Sequence, residues 1–439
     1  MKNVNKSDIE KKEDYDPFQN RKVEKPSSDI RSTANLIKAS LGSGLLAGPL
    51  AFANAGWGVG IVGTIIIGII CGHCVHILVK TSRGCCKLER KPLLGYAETA
   101  ESVFLNGPKS VRRYAYLAKI FSEFALVSTY VGVCCIYSVL ISDSIKQLID
   151  TYVPSVILPV EYYCLIILGP IALLCQVKYL KWLAIFSFLA NIFLVLTYLI
   201  CLYYIFGSEI TLADKRVAGD PWRFPAFVST VIFAMEGIGV VMPVENAMKK
   251  PQHFLGCPSV LVVAMTAIVF FYSTLGLFGY FRYGDVLRGS ITLNLPLDDW
   301  PAICAKAFIA LSIFFTYPLQ FYVVFDIFKK HTDRYIKDNY RNITEVVARI
   351  IGVGFCAGIG IALPLLEQII NIVGACFYSI LGLIIPATLE TVFRWQNLGR
   401  LKWVLWKNLL IVIFGIGTII SGCTVTILDI IEILHKKIE

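Results

Sequence analysis

The sequence predicts an all-α polytopic membrane protein of eleven transmembrane helices: two inverted halves of five helices and one helix more. Three observations lead there. Of 439 residues, 56% are hydrophobic and only 16% charged, with a mean hydropathy of +0.66. A soluble domain has about 45–50% apolar and about 25% charged residues. The apolar residues run in long continuous stretches, not in the alternating ten-residue pattern of a membrane barrel. Main chain in lipid must satisfy its own hydrogen bonds, so such stretches are helices. Finally, two of the stretches are interrupted by glycine and proline at matching places. The balance excludes a soluble enzyme, a nucleic-acid binder and a disordered chain.

Residues 1–32 are charged, contain Pro26 and have no apolar core. They predict a disordered cytoplasmic tail and no cleaved signal peptide. Apolar spans follow at 33–55, 58–80, 114–142, 161–177, 181–206, 226–247, 258–281, 302–328, 344–362, 364–389 and 403–428. A span needs about 20 mostly apolar residues. Lys and Arg orient them. With the N-terminus in the cytoplasm, 29 fall inside and 8 outside. The net charge of +10 is therefore mainly a topology signal, and no nucleic-acid partner is expected. Residues 96–104 predict a short amphipathic helix on the inner surface. Asn342-Ile343-Thr344 has the form of a glycosylation sequon but would face the cytoplasm, unused. Glu89-Arg90-Lys91-Pro92-Leu93-Leu94 has the form of an acidic dileucine sorting signal, a match common by chance. Fourteen Cys lie mostly within apolar runs beside only five His. No metal and no cofactor are expected, and no Ser-His-Asp set or P-loop points to an enzyme.

The first span reads Leu41-Gly42-Ser43-Gly44-Leu45-Leu46-Ala47-Gly48-Pro49. The sixth reads Phe233-Ala234-Met235-Glu236-Gly237-Ile238-Gly239-Val240-Val241-Met242-Pro243. Glycine costs about 1 kcal/mol inside a helix and proline about 3. Both spans should break in mid-membrane. Irregular backbone survives there only where it is buried or lines a wet cavity. The freed N–H groups suit a carboxylate, and the freed carbonyls suit an ammonium or a cation. Residues 33–206 and 226–389 each open on a broken span and hold five. An odd count forces the halves to run in opposite senses, as in transporters with a midplane site. Residues 403–428 are left over. Close helix packing alone is the plainer reading of Gly-x-Gly.

The run from Phe233 to Pro243, continued by Val244-Glu245-Asn246, resembles the sixth-helix signature of the proton-coupled amino acid transporters. These belong to the amino acid/auxin permease superfamily. Leu36-Ile37-Lys38 with Gly42-Ser43-Gly44-Leu45-Leu46 and Pro49-Leu50-Ala51 is similar to their first helix. Thr129, Gly132, Cys134-Cys135, Tyr137, Asp143 and Lys146-Gln147 are similar to their third. The run from Phe315 to Val323 is similar to their eighth, and Ile384-Ile385-Pro386 with Glu390 to the end of their tenth. The resemblance covers about 32–428. It implies a LeuT-like fold, small amino acids as substrates, symport with protons, and an extracellular disulfide whose matching cysteines are Cys164 and Cys304. One position departs. Where the family has a helix 1 His, this chain has Asn35, which cannot titrate.

Intramembrane ionisable groups default to functional candidates. Glu236 lies in the sixth-span break, placed to take a proton or meet an ammonium; binding freed N–H groups is its structural alternative. Glu245, near Lys249, is a candidate for an inner gate. Lys38 should snorkel, and Glu123 should pair with Lys119 four residues before it. Gly42, Ser43, Gly44, Thr129, Tyr130, Phe233, Met235, Glu236, Gly237, Phe315 and Tyr317 are the candidate substrate-binding residues, with Thr316 beside them. Asn35, Glu236 and Glu245 are the candidates for coupling or gating. The resulting expectation is a secondary active transporter of small neutral amino acids working by alternating access. Its partners would be the substrate, the lipid bilayer, and a proton or another ion. The plasma membrane is the expected location, a lysosomal membrane the alternative. An amino acid sensor, or transceptor, with little flux is the rival reading.

Overall fold

The computed structural model describes residues 15–21, 26–40, 42–153, 158–177, 180–207, 209–212, 214–235, 237–257, 259–333, 336 and 340–438. The chain is helical nearly throughout, and a single isolated β-bridge joins Ser27 to Met248 among the described residues. The first span is three pieces: α1 (Asp29–Ser40), α2 (Ser43–Leu46) and α3 (Gly48–Ala55). Long helices follow: α4 (Trp57–Glu89), the short α5 (Tyr96–Asn106), α6 (Ala115–Tyr152), α7 (Val160–Leu174) and α8 (Leu180–Phe206). The sixth span is two pieces, α9 (Phe224–Met235) and α10 (Ile238–Asn246). Then come α11 (Val260–Tyr283), α12 (Trp300–Thr332), α13 (Arg341–Ala362), α14 (Leu366–Phe393) and α15 (Trp403–Ile438).

Among the described residues, nine helices are long and apolar enough to cross a membrane. The count of eleven is reached only by adding the segmented first span and α7. The latter has 15 residues, about 22 Å at 1.5 Å per residue, against a hydrocarbon core of about 30 Å. The amphipathic helix expected at 96–104 is α5.

Local chemistry explains the breaks. Gly42 has φ −56° and ψ −132°, and Gly237 has φ −107° and ψ 17°, neither of them helical. Pro49 is the second residue of α3, in the first turn, where a missing N–H costs nothing. Pro243, by contrast, sits inside α10 without ending it. It cannot donate to the carbonyl four residues back, so the Gly239 oxygen loses its helical partner. A further irregularity has no proline signal. Within α14, residues Val373–Ile384 form a wide π-helix.

Packing puts the broken spans at the centre. Residues 226–235 of α9 are all buried, with α3, α14 and α15 against them. Helix α12 packs against both α6 and α8, and the three form the surrounding scaffold. The tail expected over 1–32 is partly built into the body. The main chain of Ser27 bonds to Ala247 and Lys249, each at 2.8 Å, and α1 already starts at Asp29.

Candidate functional site

The two breaks meet. A β-carbon on Gly44 would lie 2.8 Å from the Ala234 Cα, and one on Gly237 would lie 2.8 Å from the Ser40 Oγ. Beside this junction opens a cavity of about 1230 Å³. Gly42, Ser43, Tyr137, Gly239, Thr316 and Gln320 line its deep part. Arg31, Glu98, Lys119, Glu123, Lys330 and His331 line its mouth. The mouth is at the end of the molecule where the N-terminal segment docks.

The deep part is polar through both side chains and backbone. Thr316 donates its hydroxyl to the Ser312 carbonyl at 2.8 Å, and Ser312 donates to Ala190 at 2.7 Å. Those hydroxyls are therefore spent on helices. Gln320 Nε2 donates to the Tyr137 hydroxyl at 3.5 Å. Ser43 and Asn191 add polar side chains, and main chain adds the rest: the first turn of α2 has N–H groups without an intrahelical partner, and Gly239 presents the carbonyl that Pro243 leaves free. Together they offer a donor set and an acceptor around one space.

The expected site residues divide. Gly42 and Ser43 line the cavity, as does Asn35 near its mouth. Glu236 lies outside the described residues. Gly44 is buried in the junction itself. Thr129 is buried and donates its hydroxyl to the Ala125 carbonyl at 2.7 Å. Tyr130 is buried against α10, where a β-carbon on Gly239 would lie 2.3 Å from its hydroxyl. Phe233 packs edge-on against Tyr378 at 5.8 Å. Met235 faces α4 near Gly68. Phe315 stacks on Phe186 at 5.6 Å and so faces α8. Tyr317 is fully buried, 6.5 Å from the Tyr137 ring. Sequence reasoning passed over Tyr137, Gly239 and Gln320 as contacts. The freed Gly239 carbonyl was the available signal.

The charged residues find other partners than local spacing suggests. Lys38 does not snorkel to the interface. Its ammonium donates to the Ser187 carbonyl at 2.7 Å and to the Ser187 hydroxyl, tying α1 to α8. Glu123 contacts His331 at 2.8 Å, and Lys119 bonds Glu101 at 2.8 Å, so the expected pair between them is absent. Glu245 is buried and does not use Lys249. Arg21 and Arg83 each reach it at 3.0 Å, and the Phe18 ring lies under both guanidinium groups at 5.2 and 5.1 Å. The Cys164–Cys304 disulfide does not form; both are free thiols. Cys164 is buried in α7, and Cys304 is half-buried at the start of α12.

The family model described as transmembrane amino acid transporter protein matches residues 25–428. The proton-coupled amino acid transporter-like protein pathetic of Drosophila melanogaster is 37% identical over 420 residues, covering 95% of this chain and 88% of that protein. Amino acid transporter AVT3C of Arabidopsis thaliana is 25% identical, covering 93% and 92%. The solved structure described as the inward facing conformation of Mhp1 superposes with a TM-score of 0.52 over 92% of this chain and 90% of that one. At 12% identity that likeness speaks for the fold alone, which is LeuT-like.

Proposed function

The chain belongs to the family of transmembrane amino acid transporter proteins, and we propose that it carries small neutral amino acids by alternating access. One observation supports this most: two interrupted helices meet beside the deep part of a single cavity, which exposes main chain at that depth. The substrate carboxylate takes the N–H groups around Gly42 and Ser43, with Gly44 holding the two breaks together. Its ammonium takes the Gly239 carbonyl. Residues 33–206 and 226–389 act as the inverted repeats, and 403–428 as the added helix. With the N-terminus in the cytoplasm, this structure is the inward-open state, since the cavity mouth and the N-terminal segment share one end.

Asn35 faces the cavity where the resembling family has a titrating His. An amide cannot carry a proton, so wild-type uptake should be flat with external pH unless Glu236 takes over. Asn35→His should add pH dependence centred near about 6.5, the ordinary range of His. The test is counterflow of each of the twenty amino acids in proteoliposomes, then uptake at two pH values with and without sodium. Binding without counterflow would favour the sensor reading instead. A steep pH response in the wild type would move the proton to another group.

A further inference from the structure

The end of the molecule away from the docked N-terminal segment holds a second cavity, of about 480 Å³. Helix α6 measures its position. Tyr137 borders the main cavity and Asp143 the second. Six residues at 1.5 Å each span about 9 Å. On α12 the gap is smaller still. Ile309 borders the main cavity, while Lys306, three residues earlier, donates to Gln147 Oε1 at 2.8 Å and to the Leu295 carbonyl at 3.1 Å. Gln147 lines the second cavity. The two cavities approach each other along the path a solute must follow.

The charges around this second space are not all spent on one another. Lys146 pairs with Asp150. Lys306 is buried without a carboxylate partner among the described residues. Glu367 lines the wall near Asn54 at the end of α3. Asp143 and Arg288 stand in each other's field, yet among the described residues neither side chain makes a hydrogen bond or an ion pair. Three acidic and three basic groups leave the surroundings close to neutral. An unspent carboxylate and an unspent guanidinium around one half-open space match a ligand that bears an ammonium and a carboxylate on adjacent groups. A ligand with one charge would leave one wall group unanswered.

We propose that this cavity is an outer binding site for a zwitterionic amino acid, with Arg288 on the α-carboxylate and Asp143 on the α-ammonium. The site rests on the transport reading, because it lies on the substrate's route ahead of the central one. Two neighbouring sites let one molecule wait while the first is carried.

The test is equilibrium binding to the purified full chain in nanodiscs. The probe is the radiolabelled amino acid, of the twenty, that gives the largest wild-type counterflow. The wild type should bind two per chain. Arg288→Gln, at the exposed rim, and Asp143→Asn should each weaken one site about tenfold or more and leave the other unchanged, which also reports a folded protein. The corresponding primary amine and the corresponding carboxylic acid, each with one charge, should fail to displace the probe from the weakened class. One bound probe per wild-type chain overturns the proposal, as does Arg288→Gln retaining two unchanged sites. Absence of counterflow for all twenty amino acids in the wild type sinks the transport reading itself and is seen before any variant is made.

Discussion

Single atoms decide the joint between the two breaks. A methyl group on Gly44 would meet the backbone of Ala234 at 2.8 Å, and backbone cannot swing aside as a side-chain tip can. Overpacking of this kind costs about 1–3 kcal/mol. Gly44→Ala should therefore lower uptake at least about tenfold, with a reduced melting temperature. Gly354→Ala and Gly417→Ala, where nothing lies within 4 Å, should match the wild type in both measurements. Glu245 is the second decisive residue. Its carboxylate holds Arg21 of the N-terminal segment and Arg83 of α4, and a buried pair that loses one partner leaves charge uncompensated. Glu245→Gln should release the segment. Trypsin should then cut after Arg21 about tenfold faster or more, as read by mass spectrometry of timed digests, and an unchanged rate would rule out the latch.

At the scale of elements, the sequence is legible where local backbone energies rule. Gly42 and Gly237 are costly inside any helix, so both breaks can be read without knowing a neighbour. Side-chain partners follow a different logic. Spacing pairs Glu123 with Lys119, but tertiary packing brings His331 to it from 208 residues away. Likewise Phe315 and Thr316 are adjacent in sequence, yet only Thr316 reaches the cavity; helix rotation is set by α8 and α6, which no single segment encodes. The wide turns of Val373–Ile384 carry no proline signal, and they run where a β-carbon on Gly374 would lie 2.0 Å from the Ser229 carbonyl oxygen, a closeness that tertiary packing sets. The end of α14 shows what such tertiary choices stabilise. Glu390 accepts from Lys407 at 2.7 Å, Asn408 at 3.1 Å and Arg394 at 3.3 Å, and Lys407 also bonds His73 Nε2 at 2.9 Å. This cluster joins α4, α14 and α15. Glu390→Gln removes the charge that three donors share and should cost about 3 kcal/mol. Thermal unfolding in detergent should show a drop of several degrees, and a change below one degree would mean the cluster contributes nothing.

For the whole molecule, sidedness ties the separate readings together. The cavity mouth, the docked residues 15–21 and the loop between α10 and α11 all lie at one end. The excess of Lys and Arg predicts that this end faces the cytoplasm. Cys257 lies in that loop and is exposed, while Cys304 lies at the start of α12, toward the opposite end, and is half-buried. The two thiols are native reporters of the two faces. In sealed right-side-out vesicles a membrane-impermeant maleimide should leave Cys257 unmodified, then label it once detergent is added, with Cys257→Ser removing that signal. Cys304 should react slowly from the outside without detergent. The disulfide implied by family resemblance would block this reaction, whereas the free thiol permits it. Labelling of Cys257 in sealed vesicles would reverse the orientation. The open cavity would then face outward, and the latch held by Glu245 would guard the outer gate rather than the inner one.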